Sequence, residues 1–313
     1  MRNQTTVPAA TFKALFAEVI SAPFFYALLK RCGVRRRGPP VVTAWELIQG
    51  LIFHVVAEAG TLAQHVKQLT GKNIPDGALS QRRALLPIAG FEALLTTTLQ
   101  PKAERARHPE AFYQDLRLCG VDGCLFSVSN TPQTKCARRG VGGGGRRSRR
   151  WASRCLLELG LHNPLAAALG SQGESEIVLA KQVLAAQPAQ SLVLLDRYYG
   201  VPQLFVPLPA TAARHFLVRI KQNLRRRLLE VYPDGRALVE LRAGQETRLG
   251  RELVGRVQRG GRGPATGVRL WTSLLDWRRN PAAELLALYA QRWEQEIFYK
   301  ELTRKRKRTA WLN

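Results

Sequence analysis

Acidic residues are scarce in this chain of 313 residues: 23 Asp and Glu stand against 48 Lys and Arg, for a formal charge of +25 and a pI near 10.9. So large an excess favours a polyanionic partner, most simply nucleic acid, whose phosphates basic side chains neutralise. A GC-rich genome that prefers Arg over Lys gives the same bias, so charge by itself names no enzyme. Long apolar runs are also missing. None approaches the roughly 18 consecutive residues of a membrane span. The run PFFYALL at 23–29 is too short, and the N-terminus lacks the ordering of a signal peptide. The chain therefore reads as a non-membrane, cytoplasmic protein. Cysteine is sparse: the five, at 32, 119, 124, 136 and 155, form no CxxC and have no closely spaced His, which argues against a structural zinc site. An odd number without an export signal fits reduced thiols.

What is present is ample core, 45% hydrophobic residues, enough for two or three domains. The first 105 residues read as helical. An amphipathic segment at 12–29 is interrupted by Pro23, and Gly38-Pro39-Pro40 breaks the chain. Thr43 is a good N-cap for the next helix. Short helices at 61–70 and 79–86 flank the turn GKNIPDG. They form either a helix-turn-helix, with Gln81, Arg82 and Arg83 toward a DNA groove, or a plain helical bundle.

From Phe112 the texture changes. Leu116, Leu118 and Val121 lead into Asp122-Gly123, followed by Leu125, Phe126 and Val128, which reads as two strands joined by a tight turn with Asp122 ending the first. Asp-Gly is also the commonest hairpin turn, so Asp122 is either a turn residue or a chemical one. Residues 138–154, RRGVGGGGRRSRRWASR, read as a basic loop, either an arm closing on a nucleic-acid backbone or a disordered surface segment. No Gly-Lys-Ser/Thr follows the glycines, so a nucleotide-binding P-loop is rejected. A third strand at 155–162 and a helix at 175–186 precede SLVLLD, a buried strand that delivers Asp196 at its C-terminal end, where open α/β sheets bind ligands. Another helix and a strand at 215–220 complete an α/β core spanning 110–222. Residues 223–280 read as a β-rich insertion, with a hairpin at Pro233-Asp234-Gly235 and a strand at 268–275.

Residues 281–313 begin with PAAELLALYAQRWEQEIFYKELTRK, a long run of helix formers. Leu285, Tyr289, Trp293 and Ile297 make an apolar stripe, while Tyr289, Arg292, Glu296 and Lys300 recur at helical spacing. Arg292 and Glu296 are either an ordinary i,i+4 ion pair, worth a few tenths of a kcal/mol, or part of a site. Three carboxylates, Asp122, Asp196 and Glu296, can hold two divalent cations of the magnesium or manganese kind. Such a pair activates water and orients a phosphodiester for in-line displacement, while Tyr289, Arg292 and Lys300 can serve its flanking phosphates.

The segments VDGCLFSVSNTPQ, LLELGLHNPLAAALG, LVLLDRYYG, FLVRIKQN and LYAQRWEQEIFYKEL together resemble the DDE transposases of the insertion-sequence family IS-four, collinearly over about 110–303. The resemblance implies a ribonuclease-H-like mixed-sheet core, a β-rich insertion before the third acid and an all-α N-terminal domain. It implies Mg2+-dependent cleavage and joining at element ends by two ions, for which Mn2+ can substitute. Asp122, Asp196 and Glu296 would be the metal ligands and catalytic residues, with Tyr289, Arg292 and Lys300 at the DNA phosphates. Terminal inverted repeats and target DNA would be the partners of an active homodimer. Two departures stand out: the family's signature lysine falls on Thr303, and RKRKRTAWLN reads as a shortened tail. The alternatives are an impaired copy that binds DNA or inhibits intact copies, and a nuclease without joining activity.

Overall fold

The computed structural model describes residues 7–33, 41–57, 59–128, 149–171, 174–208, 211–232, 236–257, 266–290 and 292. Glu296, Lys300 and Thr303 lie outside them, as does the turn Pro233-Asp234-Gly235. The described residues up to Gln100 form one compact unit and those from Pro101 onward another.

The first unit contains six described helices: α1 (Ala9–Val19), α2 (Ala22–Arg31), α3 (Ala44–Val56), α4 (Leu62–Thr70), α5 (Asp76–Ala84) and α6 (Ile88–Thr98). The interruption expected at Pro23 falls just before it, between Val19 and Ala22, and Pro23 helps to start the second helix. It sits in the first turn of α2, where its missing N–H leaves no bond unmade, behind the N-cap Ser21. Thr43 caps α3 as expected, in a reciprocal box with Glu46, and Thr61 caps α4 in the same way with Gln64. Gly71, at φ 74°, ends α4 in the left-handed conformation that glycine tolerates. The helix expected at 79–86 begins three residues earlier because Asp76 Oδ1 accepts the Ala63 N–H at 2.9 Å, tying the start of α5 to the start of α4. Helices α3 and α4 approach so closely that a Cβ on Gly50 would collide with Cγ2 of Val66. Val66 and Leu79 are fully buried, each worth roughly 2 kcal/mol of transfer free energy. No single described helix is long and apolar enough to cross a membrane.

The second unit is organised by a ten-stranded mixed sheet. A two-residue strand β1 (Phe112–Tyr113) pairs with β2 (Leu116–Val128), and β3 (Arg149–Glu158) and β4 (Asn163–Ser171) follow. After α7 (Glu176–Ala185) come β5 (Ser191–Leu195), the short helix α8 (Pro202–Phe205) and β6 (Arg214–Arg219). Then follow β7 (Arg227–Val231), β8 (Ala237–Ala243), β9 (Glu246–Val257), β10 (Thr266–Thr272) and α9 (Ala282–Ala290). The sheet order is β4-β3-β2-β5-β6-β10-β9-β8-β7, with β2, β5 and β6 parallel and the other neighbours antiparallel. Strands β7 to β10, which fall in the β-rich insertion expected at 223–280, extend the same sheet, joined to it through β10 and β6.

Three local expectations are corrected. Asp122-Gly123 is no turn: β2 runs straight through it, because Asp122 pairs with Cys155 and Gly123 with Arg154 in an unbroken ladder to β3. Cross-strand pairing here overrides the local turn preference. The last six residues of the expected basic loop, 149–154, are strand rather than loop, for the same reason. The strand expected at 155–162 ends at Glu158. The chain then turns through Gly160 and His162, both at positive φ, into β4, which was not foreseen.

Each face of the sheet has its own core. On one, Val121, Val193, Leu195, Phe216 and Val218 pack with Leu179 and Val183 of α7. On the other, Leu118, Leu192, Leu194, Leu217 and Leu270 pack with Leu285, Leu288 and Tyr289 of α9. Strict alternation along β2 and β5 assigns each residue to one of these faces.

Candidate active site

Asp122 and Asp196 lie at the same level of two parallel strands. The last paired residues of β2 and β5 are Gly120 and Leu194, and each aspartate follows two residues later. The pleat then puts both on the face that carries Leu118, Leu192 and Leu194, the face covered by α9. Asp122 Oδ1 accepts the N–H of Gly123 at 2.8 Å. Asp196 Oδ1 accepts that of Arg197 at 2.5 Å and caps the single 3-10 turn Arg197–Tyr199.

Helix α9 reaches this point from above. The buried Tyr289 donates its hydroxyl to the carbonyl of Leu195 at 3.3 Å. Burial pushes that phenol well above the ordinary tyrosine range; the Asp196 charge adds to the shift and Arg292 opposes it. Arg292 places Nη1 3.7 Å from Asp196 Oδ2 and its guanidinium 5.9 Å from the centre of the Tyr289 ring. The Arg292 side chain is 13% exposed, whereas that of Asp196 is 41% exposed and open to a ligand. Of the residues expected from sequence, the structure thus brings Asp122 level with Asp196, and Tyr289 and Arg292 against Leu195 and Asp196. Glu296 and Lys300 fall outside the described residues.

Among the described residues no group of three or more His, Cys, Asp or Glu side chains could hold a metal ion.

Sequence reasoning missed the cationic ground beside Asp196. A cavity of about 540 Å³ is lined by Arg197, Arg219, Lys221, Gln222, Asn223 and Arg269. Its geometry is fixed by Glu252, which is buried and accepts from Arg269 Nε at 2.7 Å and from Trp271 Nε1 at 2.8 Å, and pairs with Arg226 at 2.9 Å. Arg269 also donates to the carbonyl of Gln222 at 2.8 Å. The segment FLVRIKQN contained Arg219 and Lys221, but nothing in it announced Arg269, which arrives on β10 fifty residues later.

In the helical unit, Gln81 and Arg83 are exposed on α5. Arg82 instead donates to the carbonyl of Val42 at 2.7 Å.

Comparison with known proteins follows the same outline. A family model described as "Transposase DDE domain" matches residues 116–311. Transposase InsG for insertion sequence element IS4, from Escherichia coli K12, is 28% identical over 240 residues, covering 73% of this chain. The chain spans only 53% of the length of that relative. The putative transposase InsZ of the same organism is 25% identical over 202 residues, 63% of this chain and 67% of InsZ. Among solved structures, a piggyBac transposase synaptic complex with hairpin DNA is similar over 97% of this chain and 70% of that one, at 10% identity and a TM-score of 0.42.

Proposed function

The chain belongs to the DDE transposase family, of the IS4 type, and from that membership we propose that it cuts and rejoins DNA at the ends of a mobile element. The observation that carries this reading is the level placement of Asp122 and Asp196 beneath α9, with Arg292 at the second acid. We read the strands β4-β3-β2-β5-β6 as a ribonuclease-H-like core, with three antiparallel strands followed by two parallel ones.

Asp122 and Asp196, together with Glu296 later in the chain, are the residues to hold two divalent cations, Mg2+ or Mn2+. Bound there, such a pair supplies an activated water or hydroxyl and stabilises the leaving oxygen of a phosphodiester. The protein's own groups do the rest. Arg292 and Lys300 neutralise the phosphate next to the scissile bond, and Tyr289 steadies Arg292 from beneath through its ring. The Arg219–Lys221–Arg269 cavity takes neighbouring backbone phosphates, which fixes the strand's approach to the acids without reading its sequence. Double-stranded DNA carrying terminal inverted repeats is the substrate, target DNA the acceptor and a homodimer in the cytoplasm the working form.

The test is incubation of the purified protein with Mg2+ or Mn2+ and duplex DNA bearing its element ends. Nicking and strand transfer, both lost in Asp122→Asn and Asp196→Asn, are expected. Thr303 stands where the family carries lysine, so Thr303→Lys is run beside the wild type. End binding without cleavage in either protein overturns the proposal in favour of a DNA-binding inhibitor. Hydrolysis without strand transfer would leave a nuclease.

A further inference from the structure

Beyond Gly120, β2 runs past its pairing with β5, and among the described residues its strand partner there is β3. Asp122 lies on this β3-paired stretch, and the face behind it carries a buried charge. Opposite Gly123 stands Arg154, on the face of the sheet turned away from Asp122 and in the row of Ala152 and Leu156, both core residues. It is 4% exposed, an unusual place for a guanidinium.

The absence of a side chain at Gly123 makes this possible. A Cβ there would collide with Cδ and Nη1 of Arg154, so the arginine lies flat across the glycine. Its Nη1 donates to the carbonyl of Ser153 at 2.8 Å, and Nη2 pairs with Glu176 in the first turn of α7. Buried Tyr199 shares a core cluster with Leu179 and Val183 of α7. Tyr198 and Tyr199 belong to the 3-10 turn that Asp196 caps. One buried arginine thus joins the strand of the first acid to α7, and α7 packs in one core with Tyr199 of the turn that follows the second acid.

We propose that Arg154 is a positioning residue for the carboxylate pair: it lies against the Asp122–Gly123 peptide, whose N–H orients the Asp122 carboxylate, and ties it through Glu176 to α7, the helix packed with the turn that follows Asp196. The inference rests on the reading of Asp122 and Asp196 as cation ligands. Partners that orient ligating carboxylates typically change metal affinity 10–100-fold when removed.

Charge and position predict opposite signs, which makes the idea testable without activity. The measurement is binding of Mn2+ alone to the full chain, followed by the electron paramagnetic resonance of the free ion. Were Arg154 merely a nearby cation, Arg154→Met would leave Glu176 uncompensated and tighten Mn2+ binding. A positioning role predicts binding weakened 10–100-fold. Should Arg154→Met fail to fold, Arg154→Lys keeps the charge but not the fork. Positioning then predicts weaker binding, and a charge effect predicts none. Unchanged or tighter binding in a folded variant overturns the proposal. If Asp122→Asn binds Mn2+ as tightly as the wild type, the metal-ligand reading itself fails and the proposal falls with it, a result distinguishable because it appears without touching Arg154.

Discussion

The hydroxyl of Tyr289 donates to the carbonyl of Leu195, the residue immediately before Asp196. One hydrogen bond thus joins the last described helix to the strand end that carries the second acid. A net contribution of about 1 kcal/mol is expected for it. Tyr289→Phe should lower unfolding stability by about that amount in a denaturant titration and reduce DNA cleavage by loosening α9 over the acids. Stability lost with cleavage intact would sever Tyr289 from the site.

Arg292 should separate the two properties the other way. Its contact with Asp196 is long and the carboxylate is partly exposed, so Arg292→Ala should cost less than about 1 kcal/mol of stability. Its proposed work is on charge that develops during phosphodiester cleavage, where loss of one such donor costs about 100-fold or more. Arg292→Lys should not rescue it, since a point charge lacks the planar fork. Cleavage rates beside melting curves for both variants decide this, and a rate within a few-fold of wild type rules out the phosphate role.

How much of this site could be read in the chain depends on the kind of signal each residue left. Asp196 was legible because five consecutive buried residues run straight into it. Asp122 was legible as a residue but not in its setting, since Asp-Gly carries a local turn preference that only the β3 ladder overrules. Strand β4 was invisible for a related reason. Its NPLAAALGS is poor in β-formers, and pairing with β3 makes it a strand. The cationic cavity was out of reach altogether, because Arg219 and Arg269 meet only when β10 lies against β6. Arg154 read as one more arginine in a basic loop until its partner across the sheet proved to be a glycine.

That cavity makes a quantitative prediction about DNA. Arg219→Ala should weaken binding by a similar factor for every sequence and flatten the salt dependence of log affinity by about one unit. Filter binding or fluorescence anisotropy across a range of salt concentrations would show it. A slope identical to wild type would place the phosphates elsewhere.

At high pH the core tyrosines should limit stability. Burial, with a hydrogen bond to Glu284, pushes the Tyr113 phenol up to about 12, and burial raises those of Tyr199 and Tyr289 as well. Their folded values exceed the unfolded value near 10. The neutral phenols therefore contribute stability that is complete below pH 10 and drains away as pH climbs toward 12. Tyr113→Phe should flatten part of that alkaline loss, and an unchanged profile would exclude Tyr113 as a cause.

The helical unit carries a pH response of the opposite sense. His54 and His65 are buried with their Nδ1 atoms 2.8 Å apart, and Nε2 of His65 lies 2.9 Å from the carbonyl of Ala59. A carbonyl only accepts, so Nε2 of His65 carries its proton, Nδ1 of His65 accepts and Nδ1 of His54 donates. The bond needs His65 neutral. Burial, reinforced by His65 and Arg83 against the opposing pull of Asp76, holds His54 below the ordinary histidine range. A depressed folded value means that the stability is present above about pH 6.5, the unfolded value, and is lost as pH falls below it. Helicity followed through thermal melts at a series of pH values should show the midpoint falling on the acid side. His54→Gln should have a lower midpoint at neutral pH but a flatter acid limb. An acid limb as steep in the variant as in the wild type would remove the histidine pair as its cause.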